Sequence, residues 1–179
     1  LNSDCAVDQN VFKEDEKQSS VFSSFTKDFE GKNNSRNVLQ LKTQNISQDK
    51  YLKLYRIKSN LVNYNEDTLE NSLDFTHENE NLFFGFQASA YETLKDDYND
   101  KYEYILPEIT YDKQIFGEGF GYGNFKSNFK VHNFDTNKYK KFLTNEFDWN
   151  LDNPFSEKNF NGKFLTKFKN INYEVKNVN

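Results

Sequence analysis

The sequence predicts a β-rich α+β fold: a mainly antiparallel, curled sheet, barrel-like or sandwich-like, with two or three short helices. Three observations carry this expectation. Apolar and aromatic residues recur with period two in several separate segments, which puts them on one face of a pleated strand. The segments show no alternation of strand and helix of the kind that builds a parallel nucleotide-binding sheet. Four of the seven glycines crowd into Ile115 to Phe125, IFGEGFGYGNF, where Gly117, Gly119, Gly121 and Gly123 alternate with Phe116, Glu118, Phe120 and Tyr122. On one strand that run would have a bare face open to close approach and a mostly aromatic face.

In chain order, residues 1–18 read as a polar leader with few apolar anchors, and residues 19–179 as a single β-rich domain. Val21, Phe22, Phe25 and Phe29 fall at i, i+1, i+4 and i+8, which predicts a helix with Ser19 or Ser20 as its N-cap and Gly31 as its stop. After a loop, Val38, Leu39 and Leu41 predict a short strand. Tyr51 to Val62 fits either period, and its first half is assigned to a strand. LFFGFQASAY, Leu82 to Tyr91, reads as a buried strand with Gly85 as a bend or close-approach point. Tyr102 to Leu106 and Ile109 to Tyr111 read as strands broken by Pro107. Gln114 to Phe134 forms a long alternating run. Asp135 or Thr136 then caps a short helix carrying Tyr139, Phe142, Leu143 and Phe147 on one side. Phe164, Thr166 and Phe168, then Ile171, Tyr173 and Val175, predict a hairpin or one bent strand.

Composition narrows the function. Hydrophobic residues make up 35% of the 179 residues and the mean hydropathy is -0.97, yet aromatics reach 17%. Large rings remove much apolar area per residue, so a core built from them reconciles the two figures. Abundant Lys, Asn, Phe and Tyr with scarce Arg, Pro and Ala is the mark of AT-rich coding, so richness in rings or Asn is not itself evidence of a ligand. The same discount covers the Asn-x-Ser/Thr sequons at Asn33 and Asn45. The net charge is -5 with lysines dispersed among acids. That disfavours nucleic acid, which requires a concentrated basic stripe; the short group Lys138, Lys140 and Lys141 is followed by Glu146 and Asp148. The sequence contains no Met, which predicts a processed, exported protein, secreted or in a bacterial periplasm or at the cell surface. No apolar run approaches the ~20 residues of a membrane helix, so no membrane-spanning segment is expected. Cys5 has no internal disulfide partner, and Asp4 before it disfavours lipid attachment.

Familiar chemical motifs are incomplete. The glycine run lacks the helix start and Lys-Ser/Thr pair of a phosphate loop. His77 and His132 lack zinc-ligand spacing, so no metal is expected. Asp148, Asn150 and Asp152 resemble the start of a calcium loop, but Asn153, Pro154 and Asn159 depart from it at the glycine, the following position and the final carboxylate. No G-x-S-x-G motif occurs. Glu118 stands out because it interrupts an aromatic face and is costly to bury unpaired. The expected function is an exported, non-enzymatic binding protein without a cofactor. Its aromatic-lined site for a small molecule or polypeptide is assigned to Phe84, Phe116, Glu118, Phe120, Tyr122 and Trp149. Two alternatives stand beside it: a structural or assembly component of a cell envelope or extracellular polymer, self-associating through strand edges, and a carboxylate-dependent hydrolase.

Overall fold

The computed structural model describes residues 2–8, 12–13, 16–17, 19–95, 101–117, 121–134, 138–152 and 162–177. Its strands are β1 (Asn2–Asp8), β2 (Phe12–Lys13), β3 (Glu16–Lys17), β4 (Ser20–Glu30), β5 (Arg36–Ile46), β6 (Thr68–Asn79), β7 (Leu82–Thr93), β8 (Tyr102–Gly117), β9 (Gly121–Phe134), β10 (Lys138–Asp152) and β11 (Lys163–Lys176). The helix α1 spans Tyr51–Tyr55. Nine strands form one sheet in the order β1-β4-β5-β6-β7-β8-β9-β10-β11, while β2 and β3 pair separately. From β4 onward each strand lies antiparallel to the next one in sequence. The sheet is curled and does not close, so β1 and β11 are its edges.

The mainly antiparallel, curled sheet agrees with the sequence; the helices do not. Val21, Phe25 and Phe29 are four apart, a spacing that satisfies both a helix and one face of a strand, and the chain resolves the ambiguity as β4. Tyr139, Leu143 and Phe147 show the same degeneracy and lie in β10, with Phe142 on the opposite face; the proposed cap at Asp135 or Thr136 lies outside the described residues. Conversely, Tyr51 to Tyr55 is helical, not extended. It buries Tyr51 and Leu52 and ends at Arg56 in a left-handed conformation, φ 48°. Pro107 does not break β8, because a register shift between Ile105 and Glu108 absorbs it as a bulge. The glycine-rich run is a hairpin instead of one strand: Gly117 ends β8 and pairs with Gly121, which opens β9 at φ 82°. The C-terminal pattern is a single strand, β11.

A small core sits at one end of the sheet. Phe22, Ile46, Tyr51, Leu52, Val62, Leu69 and Leu94 are buried together, where the connection from β5 to β6 folds over the strand ends. Gln44 fastens that connection. Its Nε2 donates to the Leu61 carbonyl at 2.7 Å and its Oε1 accepts from the Glu70 amide at 2.8 Å. Elsewhere the long strands contact chiefly their sheet neighbours. The chain exposes 13001 Å², where a compact monomer of this mass exposes about 9,100 Å². Among the described residues no second layer covers the sheet.

Candidate functional site

Register sorts the side chains of this sheet into two unlike faces, because residues directly opposite each other in an antiparallel pair project to the same side. One aligned row crosses six strands as Leu39, Phe75, Phe86, Ile109, Phe129 and Leu143. The same face carries Phe84, Tyr111, Phe125, Phe147 and Trp149, with ring contacts Phe75–Phe84 at 6.4 Å, Tyr111–Phe125 at 6.1 Å and Phe147–Trp149 at 6.0 Å between centroids. It is the apolar face. Its polar interruptions include Lys27, Lys113 and the pairs His77–Asn37 and Ser127–Asn145.

The opposite face is ionic. A row reads Glu30, Arg36, Glu78, Phe83, Asp112, Lys126, Glu146, Lys169, and apart from the Phe83 gap its charges alternate in sign. Lys126 approaches Asp112 to 3.3 Å, Lys130 approaches Glu108 to 3.0 Å, and Lys169 contacts Glu146. The hydrogen bond from Lys169, then its charge and those of Lys126 and Lys167, hold the Glu146 carboxyl below the ordinary range. Asp74, on this same face, moves the other way: burial raises its pKa, and the Glu70 charge adds to the effect while a hydrogen bond with Ser72 opposes it.

At the β9–β10–β11 corner this polar face holds a recess of about 250 Å³ with Tyr122, Asn124, Asp148, Asn150, Leu165 and Lys167 on its lining. Gly123 brings the backbone into the lining. The Trp149 ring lies over that glycine from the apolar side, so a Cβ there would meet Cε3 at 2.7 Å. Asn150 is buried and its Nδ2 donates to the Tyr122 hydroxyl. The Oδ1 atoms of Asn124 and Asn150 are buried without a hydrogen-bond partner among the described residues. Beside them stands the Asp148 carboxylate, which Lys167 approaches to 3.8 Å.

The six sequence-assigned residues do not form one site. Phe116 and Tyr122 are direct cross-strand partners at the recess end of the polar face. The Trp149 indole belongs to the apolar face, and Phe84 lies farther along that face, paired in register with His77 and Tyr111. Glu118 and Phe120 lie outside the described residues. Asn124, Leu165 and Lys167 were not singled out in the sequence, and Asn150 only as part of an incomplete calcium loop; the strand register alone brings the four together. His77 and His132 occupy opposite faces and so share no ligand; His132 Nε2 meets Glu103 Oε1 at 2.5 Å. Asp148, Asn150 and Asp152 share the polar face, Asp152 with Lys163 at 3.6 Å, while Asn153, Pro154 and Asn159 lie outside the described residues.

No protein-family model, curated protein or solved structure matches the chain.

Proposed function

We propose that the chain is a structural component of a cell envelope: part of the wall of an antiparallel β-barrel, closed by further strands at its β1 and β11 edges, whose apolar face meets lipid and whose ionic face lines a wet interior. The segregation of the two faces carries this reading. A sheet with one apolar face in water needs a cover, and hydrocarbon is a cover that asks for no complementary second layer.

No helix among the described residues is long and apolar enough to cross a membrane. Strands obey another criterion, since about 9–11 tilted residues suffice to cross, and β4 to β11 run from 11 to 16 residues. Along β10 the apolar face presents Leu143, Phe147, Trp149 and Leu151. That stretch rises ~27 Å, or ~20 Å along the normal when tilted by ~40°, close to the ~25 Å apolar band of barrels in bilayers. Tyr102, Tyr104 and Tyr139 gather at one rim of the face, and Trp149 stands toward the other, in the manner of interfacial girdles. Lys27 and Lys113 are the charges within the band; their long stems allow the ammonium groups to reach toward a rim.

The sole tryptophan makes the test direct. Refolded into phosphatidylcholine vesicles, the chain is expected to show blue-shifted Trp149 emission that acyl-brominated lipid quenches and aqueous iodide does not. Iodide quenching without effect of brominated lipid sinks the proposal. So does a water-soluble dimer with protected Trp149, which would make the apolar cover a second sheet.

The recess favours a second reading, a non-enzymatic binding protein for a small molecule or polypeptide. Its support is the pair of unpartnered amide oxygens beside Tyr122 and Leu165. Native mass spectrometry on the protein from its natural source tests it: adduct mass that Asn150→Leu abolishes supports the reading, and a bare chain counts against it.

A further inference from the structure

The free edge of β11 differs from a guarded strand edge. Phe164, Leu165, Phe168, Ile171 and Tyr173 are each more than half exposed, from 53% to 60%, and the outward backbone groups of this 14-residue strand have no sheet partner among the described residues. A long apolar edge is a template for another strand. Its charges specify which one. Inside the ionic face, Lys126 stands between Asp112 and Glu146, and Glu146 between Lys126 and Lys169. Among the described residues, Lys163, Lys167 and Lys169 have their carboxylates on the β10 side, from Asp152, Asp148 and Glu146. Lys167 remains 78% exposed.

We propose that the β11 edge receives an antiparallel strand from a separate polypeptide segment. That strand carries carboxylates opposite Lys163, Lys167 and Lys169 and apolar side chains opposite Phe164 and Phe168. Read from its own N-terminus, the antiparallel strand therefore spaces its carboxylates two residues and then four on one face. A second copy of the same edge fits poorly, because its lysine-rich face brings no carboxylates at that spacing and like charges across a pair repel. This inference rests on the edge alone and holds whether the apolar face meets lipid or another sheet.

Two synthetic strands of identical apolar pattern, one with glutamate and one with lysine at the three charged positions, are titrated against the fluorescently labelled chain. The glutamate strand is expected to bind about tenfold more tightly, as three cross-strand charge pairs imply. It should protect alternate β11 amides from hydrogen exchange, and its advantage should shrink in high salt. Since reversing lysines alone could disturb β10, the decisive variant swaps both pairs: Asp148→Lys with Lys167→Glu, and Glu146→Lys with Lys169→Glu. The swapped chain should lose the preference for the glutamate strand or favour the lysine strand. Equal affinity for the two peptides, protection away from β11, or a β11-protected dimer of the chain without peptide would overturn the proposal.

Discussion

Adding a single methyl at Gly123 probes the packing of the Trp149 ring across the sheet. The new Cβ would stand 2.7 Å from Trp149 Cε3, 3.1 Å from Cζ3 and 3.1 Å from the Asp148 carbonyl oxygen. Carbon atoms settle at about 3.5–4.0 Å, so the indole must retreat by nearly an ångström, and its stacking on Phe147 resists. Overpacking of this kind costs about 1–3 kcal/mol, against which Ala over Gly in a strand returns about 0.5–1 kcal/mol. The net expectation for Gly123→Ala is a loss of about 1–2 kcal/mol, read as a lower urea midpoint by far-ultraviolet circular dichroism. In a Trp149→Ala background the ring is gone and the same substitution should be neutral or mildly stabilising, giving a coupling within the ~0.5–3 kcal/mol seen for touching residues. A full cost that persists without the indole would refute the packing argument, as would a Gly123→Ala chain as stable as the parent.

Four further outcomes follow from other contacts. Gly121→Ala should cost more than Gly123→Ala, because its Cβ would lie 2.1 Å from the backbone oxygen of Asn150 and its φ is 82°; equal midpoints for the two variants would contradict this. Gln44→Ala removes bonds to Leu61 and Glu70 from a buried site. It should cost about 1–3 kcal/mol and speed exchange of the Glu70 amide, and an unchanged exchange rate would refute the fastening role. The lowered carboxyl pKa of Glu146 means that its share of stability is present above the ordinary Glu range and is lost as the pH falls through its folded pKa. Glu146→Gln should therefore be less stable than the parent at pH 7, with the gap narrowing in acid. Asp74 has the opposite sign: its raised pKa is a penalty on the charged native form that disappears as the pH falls through that pKa. Asp74→Asn should raise the urea midpoint at pH 7 and give little gain in acid, and a gain confined to acid would contradict the assignment.

Sheet class was legible because period-two patterns survive in Leu82 to Tyr91 and in the C-terminal residues. Helices were over-assigned where apolar residues sit four apart, since Val21, Phe25 and Phe29 satisfy both periodicities and no local rule chooses between them. Tertiary pairing with neighbouring strands decides such cases, and a single sequence does not display pairing. The same gap hid the site. Reading the glycine run as one strand placed Phe116 and Tyr122 at separate points of one aromatic face. The β8–β9 pairing instead sets them opposite each other, and the β9–β10 and β10–β11 pairings gather Asn124, Asn150 and Leu165, which lie 15 or more residues apart in sequence. Face segregation was within reach from alternation alone in β7, but β10 had to be recognised as extended before Trp149 could be assigned to the apolar side.

The central claim, one face in hydrocarbon and the other in water, is tested most directly by nitroxide labels placed singly along β10 from 142 to 149 in vesicles. Power saturation compares access to dissolved oxygen with access to a water-soluble nickel chelate. The account predicts strict alternation: positions 143, 145, 147 and 149 favour oxygen, and 142, 144, 146 and 148 favour nickel. Nickel access at every position, or the same alternation in buffer without lipid, would contradict it.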